Sequence, residues 1–202
     1  MKFETIATQG FIDIKNQNHS ISMPIYANTA YGFDSVEHAV NLFDLKEEGN
    51  IYTRLTNPSN EMIEKRIAAL EGGVGALAVS SGMSAILTAI MNIAENGDEI
   101  VSSAKIYGGT YNLFVKTFKQ MGITVKLVNS DNIEDWEKAI TKKTKCLYTE
   151  TIGNPAIKIA NIEPLSKLAH KYGIPLIIDN TVATPYLCRP FEFGADIVIH
   201  ST

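Results

Sequence analysis

Cysteine is nearly absent: the chain of 202 residues has two, Cys146 and Cys188. Two cysteines make no disulfide framework, and no C-x-x-C spacing exists for a zinc site. Cys146, in KTKCLYTE, reads as a small hydrophobe in a buried strand, and Cys188, in YLCRPF, as a loop residue. No run approaches 18 apolar residues, so no membrane span is expected, and the opening MKFETIATQG lacks the apolar stretch of a signal peptide. Basic residues are not in excess. Lys and Arg number 18 against 22 Asp and Glu, a net charge of −4, which argues against a nucleic-acid partner. The expectation is a cytoplasmic protein that binds neither membrane nor nucleic acid. Internal repeats and low-complexity segments are also missing, and the four histidines have no metal-ligand spacing, so no metal is expected. What remains, 45% hydrophobic and 20% charged residues, excludes a disordered chain and a coiled coil and fits a globular fold.

Residues 1–60 differ from the rest. MPIYANTAYGFDS has aromatic and turn residues without a period and reads as an extended arm. A helix is expected over 36–48, opened by Asp34 with Glu37 at capping-box spacing. Another starts after Asn57, a cap, and Pro58, suited to a first helical position. From about residue 60 the pattern alternates. Strands are expected at 75–80, 99–102, 123–128, 146–150, 175–179 and 196–200, with helices at 83–94, 110–121, 133–140 and 162–172 between them. Strands separated by helices need crossovers, so the fold class is α/β, a mostly parallel sheet with helices on both faces. The expected division is an N-terminal arm and helix, 1–60, and an α/β domain, 61–202.

In such a sheet, ligands bind beyond the carboxyl ends of the strands. The residues there are Ser81-Gly82-Met83, the 104–109 loop with Tyr107, Thr151 to Pro155, Asp179-Asn180-Thr181, and His200-Ser201-Thr202. Hydroxyls, glycines and one carboxylate on one edge suit a phosphorylated, partly aromatic ligand. Ser81-Gly82-Met83 opens a helix whose free N–H groups could take a phosphate, although many helices begin Ser-Gly. Asp179 ends an apolar strand and needs a partner: a helix cap, a salt bridge or the protonated ring nitrogen of a ligand. GVGALA (73–78) matches a dinucleotide fingerprint but leads into a strand instead of following one.

Six motifs, in this order and spacing, carry a resemblance over the whole chain: IYTRLTNPS (51–59), VSSGMSAI (79–86), AKIYGGTY (104–111), ETIGNP (150–155), IIDNTVATPY (177–186) and DIVIHST (196–202). They resemble the amino-terminal half of the cysteine/methionine-metabolism family of pyridoxal-phosphate enzymes, of fold type I, the aspartate-aminotransferase-like fold. The segments 41–58 and 179–202 look most like its O-acetylhomoserine sulfhydrylase branch. The resemblance implies pyridoxal 5'-phosphate as cofactor and roles for matching residues. Gly82 and Met83 amides would bind the cofactor phosphate, with Ser201 adding a hydroxyl, and Ser81 and Thr181 are also expected at the cofactor. Tyr107 would stack on the pyridine ring, Asp179 would pair with its nitrogen, and Asn154 would sit near the phenolic oxygen. Tyr52 and Arg54 would reach the phosphate of a neighbouring subunit, which implies a homo-oligomer, a dimer of dimers.

The family's Schiff-base lysine would follow Thr202, and its carboxy-terminal domain is not in this stretch, so the fold is expected to be truncated before that domain and the lysine to lie just beyond Thr202. Lys105 is the one rival inside the chain, at a place where the family has no such lysine. The implied reaction is γ-replacement, O-acetyl-L-homoserine plus sulfide giving L-homocysteine plus acetate, with Tyr107 and Asp179 as catalytic residues. Cystathionine γ-synthase, cystathionine lyase and methionine γ-lyase share this constellation. A non-catalytic cofactor-binding fragment is the reading from a different class.

Overall fold

The structure, a computed structural model, describes residues 1–15, 17–129 and 131–202. Packing divides the chain into two compact units, 1–78 and 79–202.

The first unit holds α1 (Phe3–Gln9), α2 (Val36–Phe43) and α3 (Pro58–Glu71). The start of α3 follows the expected chemistry: the Asn57 side chain accepts a hydrogen bond from Ser59 N at 2.8 Å, and Pro58 occupies the first turn. The helix ends at Gly72, which takes the left-handed conformation (φ 79°) that costs glycine little. The cap of α2 is Ser35, not Asp34: its hydroxyl accepts from His38 N at 3.0 Å. This helix is shorter than the expected 36–48, because Leu45 turns left-handed (φ 56°) and Lys46 N closes back on Asn41 O at 2.9 Å. The arm is extended around Tyr26, whose N donates to Ser59 Oγ (2.9 Å) and whose carbonyl accepts from Asn57 Nδ2 (3.0 Å). Because α3 packs on α1, with Arg66 Nε donating to Gly10 O at 2.9 Å, it joins the first unit, and the division falls after Ala78 instead of residue 60.

The second unit begins with α4 (Gly82–Met91). Then come β1 (Glu99–Ser103), α5 (Gly108–Asn112) continued by π-helical turns over Leu113–Phe118, β2 (Thr124–Val128), α6 (Ile133–Ala139) and β3 (Thr144–Glu150). A short antiparallel hairpin, β4 (Ile152–Gly153) and β5 (Lys158–Ile159), precedes α7 (Ile162–Lys171) and β6 (Leu176–Asp179). A helical turn, α8 (Thr184–Leu187), and a 3-10 turn, Pro190–Phe193, lead to β7 (Ile197–Ile199). Five strands form a parallel sheet in the order β2-β1-β3-β6-β7.

Alternation along the strands builds two cores. Ile100, Cys146, Tyr148, Ile177 and Ile199 face α4 and the 108–118 helix. Their neighbours Val101, Leu147, Leu176 and Ile178 point the other way, against Trp136 of α6 and the apolar side of α7. Both faces are thus covered, as the apolar strand runs require. Phe114 and Phe118 stack at 5.5 Å between ring centres, and Phe114 meets the Tyr148 ring edge-on at 5.0 Å. Cys146 is fully buried, and burial pushes its thiol up to about 12, so it serves as a core hydrophobe.

One expected strand is missing. Residues 75–80 form no ladder among the described residues. A strand exists only with a partner, and here Leu77 is exposed while Ala78 N is satisfied by the Glu64 side chain at 2.8 Å. The helical turns at 184–187 and 190–193, the 152–159 hairpin and α1 are additions that periodicity did not reveal. No described helix is long and apolar enough to cross a membrane.

Truncating Leu147, fully buried in the second core, to alanine should cost about 2–5 kcal/mol of stability, read from the shift in urea unfolding midpoint. A cost under about 1 kcal/mol would show that this core is loosely packed.

Candidate functional site

The chain leaves β1 for β2 on one side, then returns past β1 to β3 on the other. Right-handed crossovers therefore place the 108–118 helix on one face and α6 and α7 on the opposite face. Beyond the carboxyl ends of β1 and β3, the chain diverges and a crevice opens. A cavity of about 310 Å³ lies at this edge, lined by Ser81, Gly82, Met83, Tyr107, Thr110, Glu150, Asn154, Asp179, Thr181 and Ser201, with Ile86, Ile152 and Val182 as apolar wall.

One end of the cavity is a cradle for an anion. Ser81 caps α4, its hydroxyl accepting from Ser84 N at 3.1 Å, so the N–H groups of Gly82 and Met83 make no hydrogen bond among the described residues. They sit at the positive end of the helix dipole. Ser201 lies so near that a Cβ on Gly82 would stand 2.5 Å from the Ser201 Cβ. Ser201 is itself fixed: its N donates to Thr181 Oγ1 at 2.8 Å.

The other end carries two carboxylates. Asp179 and Glu150 end adjacent strands as register partners. Asp179 Oδ1 accepts from Thr181 N (3.0 Å) and Oδ2 from the Tyr148 hydroxyl (3.5 Å). Tyr148 keeps its proton, because burial first, and then the Asp179 and Glu150 charges, push its hydroxyl well above the ordinary range. Below them Thr151 Oγ1 donates to the Asn180 side chain at 2.6 Å, and Asn180 Nδ2 donates to Cys188 O at 2.8 Å, which ties the strand ends together. Glu150 is 5% exposed. It accepts from Tyr107 N (Oε1, 2.6 Å) and Asn154 N (Oε2, 3.2 Å). Burial raises its carboxyl to about 7; the neighbouring Asp179 charge adds to the rise, and the two amides oppose it. The Tyr107 ring is half exposed over the cavity, close against Gly109, where a Cβ would collide with it.

Thr110 Oγ1 is buried on the cavity wall beside the Tyr148 hydroxyl. A helix start that only glycine fits, free amides and a carboxylate at the far end match a ligand with a phosphate and a protonated heteroaromatic ring. Pyridoxal phosphate is such a molecule, and the residues present fit it.

The comparisons with known proteins agree. The family described as Cys/Met metabolism PLP-dependent enzyme matches residues 4–202. The chain belongs to that family. It is 50% identical over 200 residues to an O-acetyl-L-homoserine sulfhydrylase of Leptospira meyeri, covering 99% of this chain and 45% of that protein. It is 48% identical over 187 residues to a homocysteine/cysteine synthase of Saccharomyces cerevisiae, covering 92% of this chain and 42% of that one. A crystal structure described as an O-acetylhomoserine (thiol)-lyase of Campylobacter jejuni, with pyridoxyl-lysine monophosphate at its position 205, superposes with a TM-score of 0.96 at 43% identity, over 100% of this chain and 50% of that one. The chain spans about half the length of the curated relatives it matches. The fold is accordingly that of the family's α/β region, and the family's cofactor is pyridoxal 5'-phosphate.

Eight of the ten residues expected at the cofactor meet around one cavity: Ser81, Gly82, Met83, Tyr107, Asn154, Asp179, Thr181 and Ser201. Tyr52 and Arg54 belong to the first unit and are not among its lining. There the Arg54 guanidinium lies over the Tyr52 ring, 5.1 Å from its centre, and both are exposed. Lys105 is engaged elsewhere: its Nζ is 3.5 Å from Asp131 Oδ1, while Asp131 Oδ2 pairs with Lys158 at 2.8 Å. Glu150 and Thr110 were missed. Glu150 carried the signal that found Asp179, an acidic residue ending an apolar strand. Thr110 had none, since a threonine in the first turn of a helix is ordinary. No group of three or more His, Cys, Asp or Glu among the described residues could hold a metal ion.

Gly82→Ala should weaken pyridoxal phosphate binding about tenfold or more, read by equilibrium dialysis, because the added Cβ would push Ser201 away and cost the phosphate a charge-assisted hydrogen bond worth about 1.5–3 kcal/mol. Unchanged binding would place the phosphate elsewhere. Glu150 also predicts a pH effect. Its folded carboxyl titrates near 7 and its unfolded one near 4.5, so between them the folded state holds more protons and stability falls as pH rises. The stability difference between cofactor-free wild type and Glu150→Gln should change across that window and level off above it; a constant difference would contradict the raised carboxyl.

Proposed function

We propose that the polypeptide carrying this sequence is an O-acetyl-L-homoserine sulfhydrylase, a transferase of methionine and homocysteine biosynthesis that makes L-homocysteine and acetate from O-acetyl-L-homoserine and sulfide. The carrying observation is the pairing of an anion cradle at α4 with Asp179 at the opposite end of one cavity. The names of the relatives, at 50% and 48% identity, support this reaction over others of the family. Bound pyridoxal phosphate supplies an electron sink for the substrate's α-carbon. The Gly82 and Met83 amides and the Ser201 hydroxyl hold the phosphate. Asp179 keeps a proton on the ring nitrogen, which deepens the sink. Tyr107 covers one ring face and shields the reacting atoms from water, and Asn154 binds the phenolic oxygen. Thr181 orients Asp179 and Ser201 together.

The first unit would serve a neighbouring copy. Arg54 and Tyr52, exposed and stacked, suit a phosphate reached across a subunit boundary, because a guanidinium grips phosphate with two parallel hydrogen bonds. The enzyme is then a homo-oligomer, a dimer of dimers. Its two free cysteines fit the reducing cytoplasm.

Product analysis tests the reaction. O-acetylhomoserine with sulfide should give homocysteine, and a keto acid released without sulfide would point to a lyase instead. Asp179→Ala should lower turnover by about 3 kcal/mol of barrier or more at equal cofactor loading, as for other preorganised charge contacts; a wild-type rate would remove Asp179 from the site. Arg54→Ala mixed with Asp179→Ala should regain activity, because a hybrid dimer contains one intact composite site. No recovery, once subunit exchange is confirmed by mass, would confine Arg54 to its own subunit.

A further inference from the structure

The cavity has two loop walls. One follows β1 and carries Tyr107; the other follows β3 and carries Asn154. Beyond Ser102 and Tyr148 no ladder joins the two strands, so the loops leave the sheet without backbone pairing between them. Two contacts hold them together among the described residues. Gly153 passes the Lys105 carbonyl so closely that a Cβ there would collide with it. The other meeting point is a side chain: Glu150 takes the Tyr107 amide on Oε1 and the Asn154 amide on Oε2.

We infer that Glu150 is a positioning residue for the cofactor ring, its carboxylate clamping together the two loops that bear Tyr107 and Asn154 and so fixing the width of the slot between them. This rests on the reading of the cavity as the cofactor site. A carboxylate is the side chain the arrangement demands. Both partners are donors, so both side-chain oxygens must accept. Glutamine offers one acceptor and turns its own N–H groups toward the second amide; aspartate has the same two acceptors but stops one methylene short of them. The clamp also holds itself shut. Glu150 is buried beside the Asp179 carboxylate and the Tyr148 hydroxyl, and opening either loop would leave one of its oxygens out of water without its donor. Glu150 therefore acts through backbone atoms, and the groups it sets in place are the ones that touch the ring.

The test compares wild-type holoenzyme with Glu150→Gln and Glu150→Asp at equal bound cofactor. Visible circular dichroism of the bound cofactor reports the asymmetry of the ring's surroundings. We expect that band to fall about twofold or more per bound cofactor, and kcat to fall about tenfold to a hundredfold for a sub-ångström to 1 Å misplacement, with KM within about threefold of wild type. A folded variant with the wild-type band and kcat per bound cofactor overturns the inference, and so does a loss explained wholly by lower stability and cofactor content. Hydrogen exchange on the wild-type holoenzyme gives a reading that needs no variant. The Tyr107 and Asn154 amides, in peptides spanning 104–110 and 151–157, should exchange about a hundredfold or more slower than free amides, and rapid exchange at both overturns the clamp. A wild-type protein with no visible cofactor band would instead remove the cofactor reading beneath it.

Discussion

In the parallel ladder between β3 and β6, Glu150 stands opposite Asp179, and the chemistry of the cavity hangs from that register. Two carboxylates side by side in a nearly dry edge repel each other, so each must be held by donors. The donors divide the space between them. Asp179 is bound from below and behind by Tyr148 and Thr181. Glu150 is bound from the side by two loop amides. A slip of β6 by one residue would turn Asp179 to the opposite face and leave Glu150 alone at the cavity.

The register is itself secured by the two cores. Tyr148 and Ile177 pack beneath α4 and the 108–118 helix, while Leu147, Leu176 and Ile178 pack against α6 and α7. Every strand residue short of the carboxylates is thus committed to one face. The polar groups gather where the apolar pattern stops, at the last residue of each strand, and the same rule places Ser201 beyond β7 and Tyr107 beyond β1.

The alternating strands and helices were legible because burial on both faces forces near-continuous apolar runs, as in Leu176 to Ile178. Asp179 was legible because it interrupts such a run. The strand expected at 75–80 failed on a physical point: apolar composition shows that a segment can pair, and only a neighbour decides that it does. Residues 34–35 show a similar limit, since Asp34 and Ser35 are both competent caps and backbone geometry at Ser35 decided between them. Glu150 shares that signal of an acidic residue at a strand end, but its task is not legible, because its partners are backbone amides, which carry no residue identity for a sequence to display. The placing of Tyr52 and Arg54 at a phosphate came from resemblance alone; their own residues gave only an exposed aromatic and an exposed charge.

Thr181 gives the cavity a fixed length. Its amide holds the carboxylate proposed for the ring nitrogen at 3.0 Å, and its hydroxyl holds the backbone of the serine proposed for the phosphate at 2.8 Å. The two ends of the ligand are therefore gauged from a single residue, in the manner of a caliper whose jaws share one pivot. Drift elsewhere in the sheet, at the outer strand β2 or in the helices behind it, moves both jaws together and leaves the span unchanged.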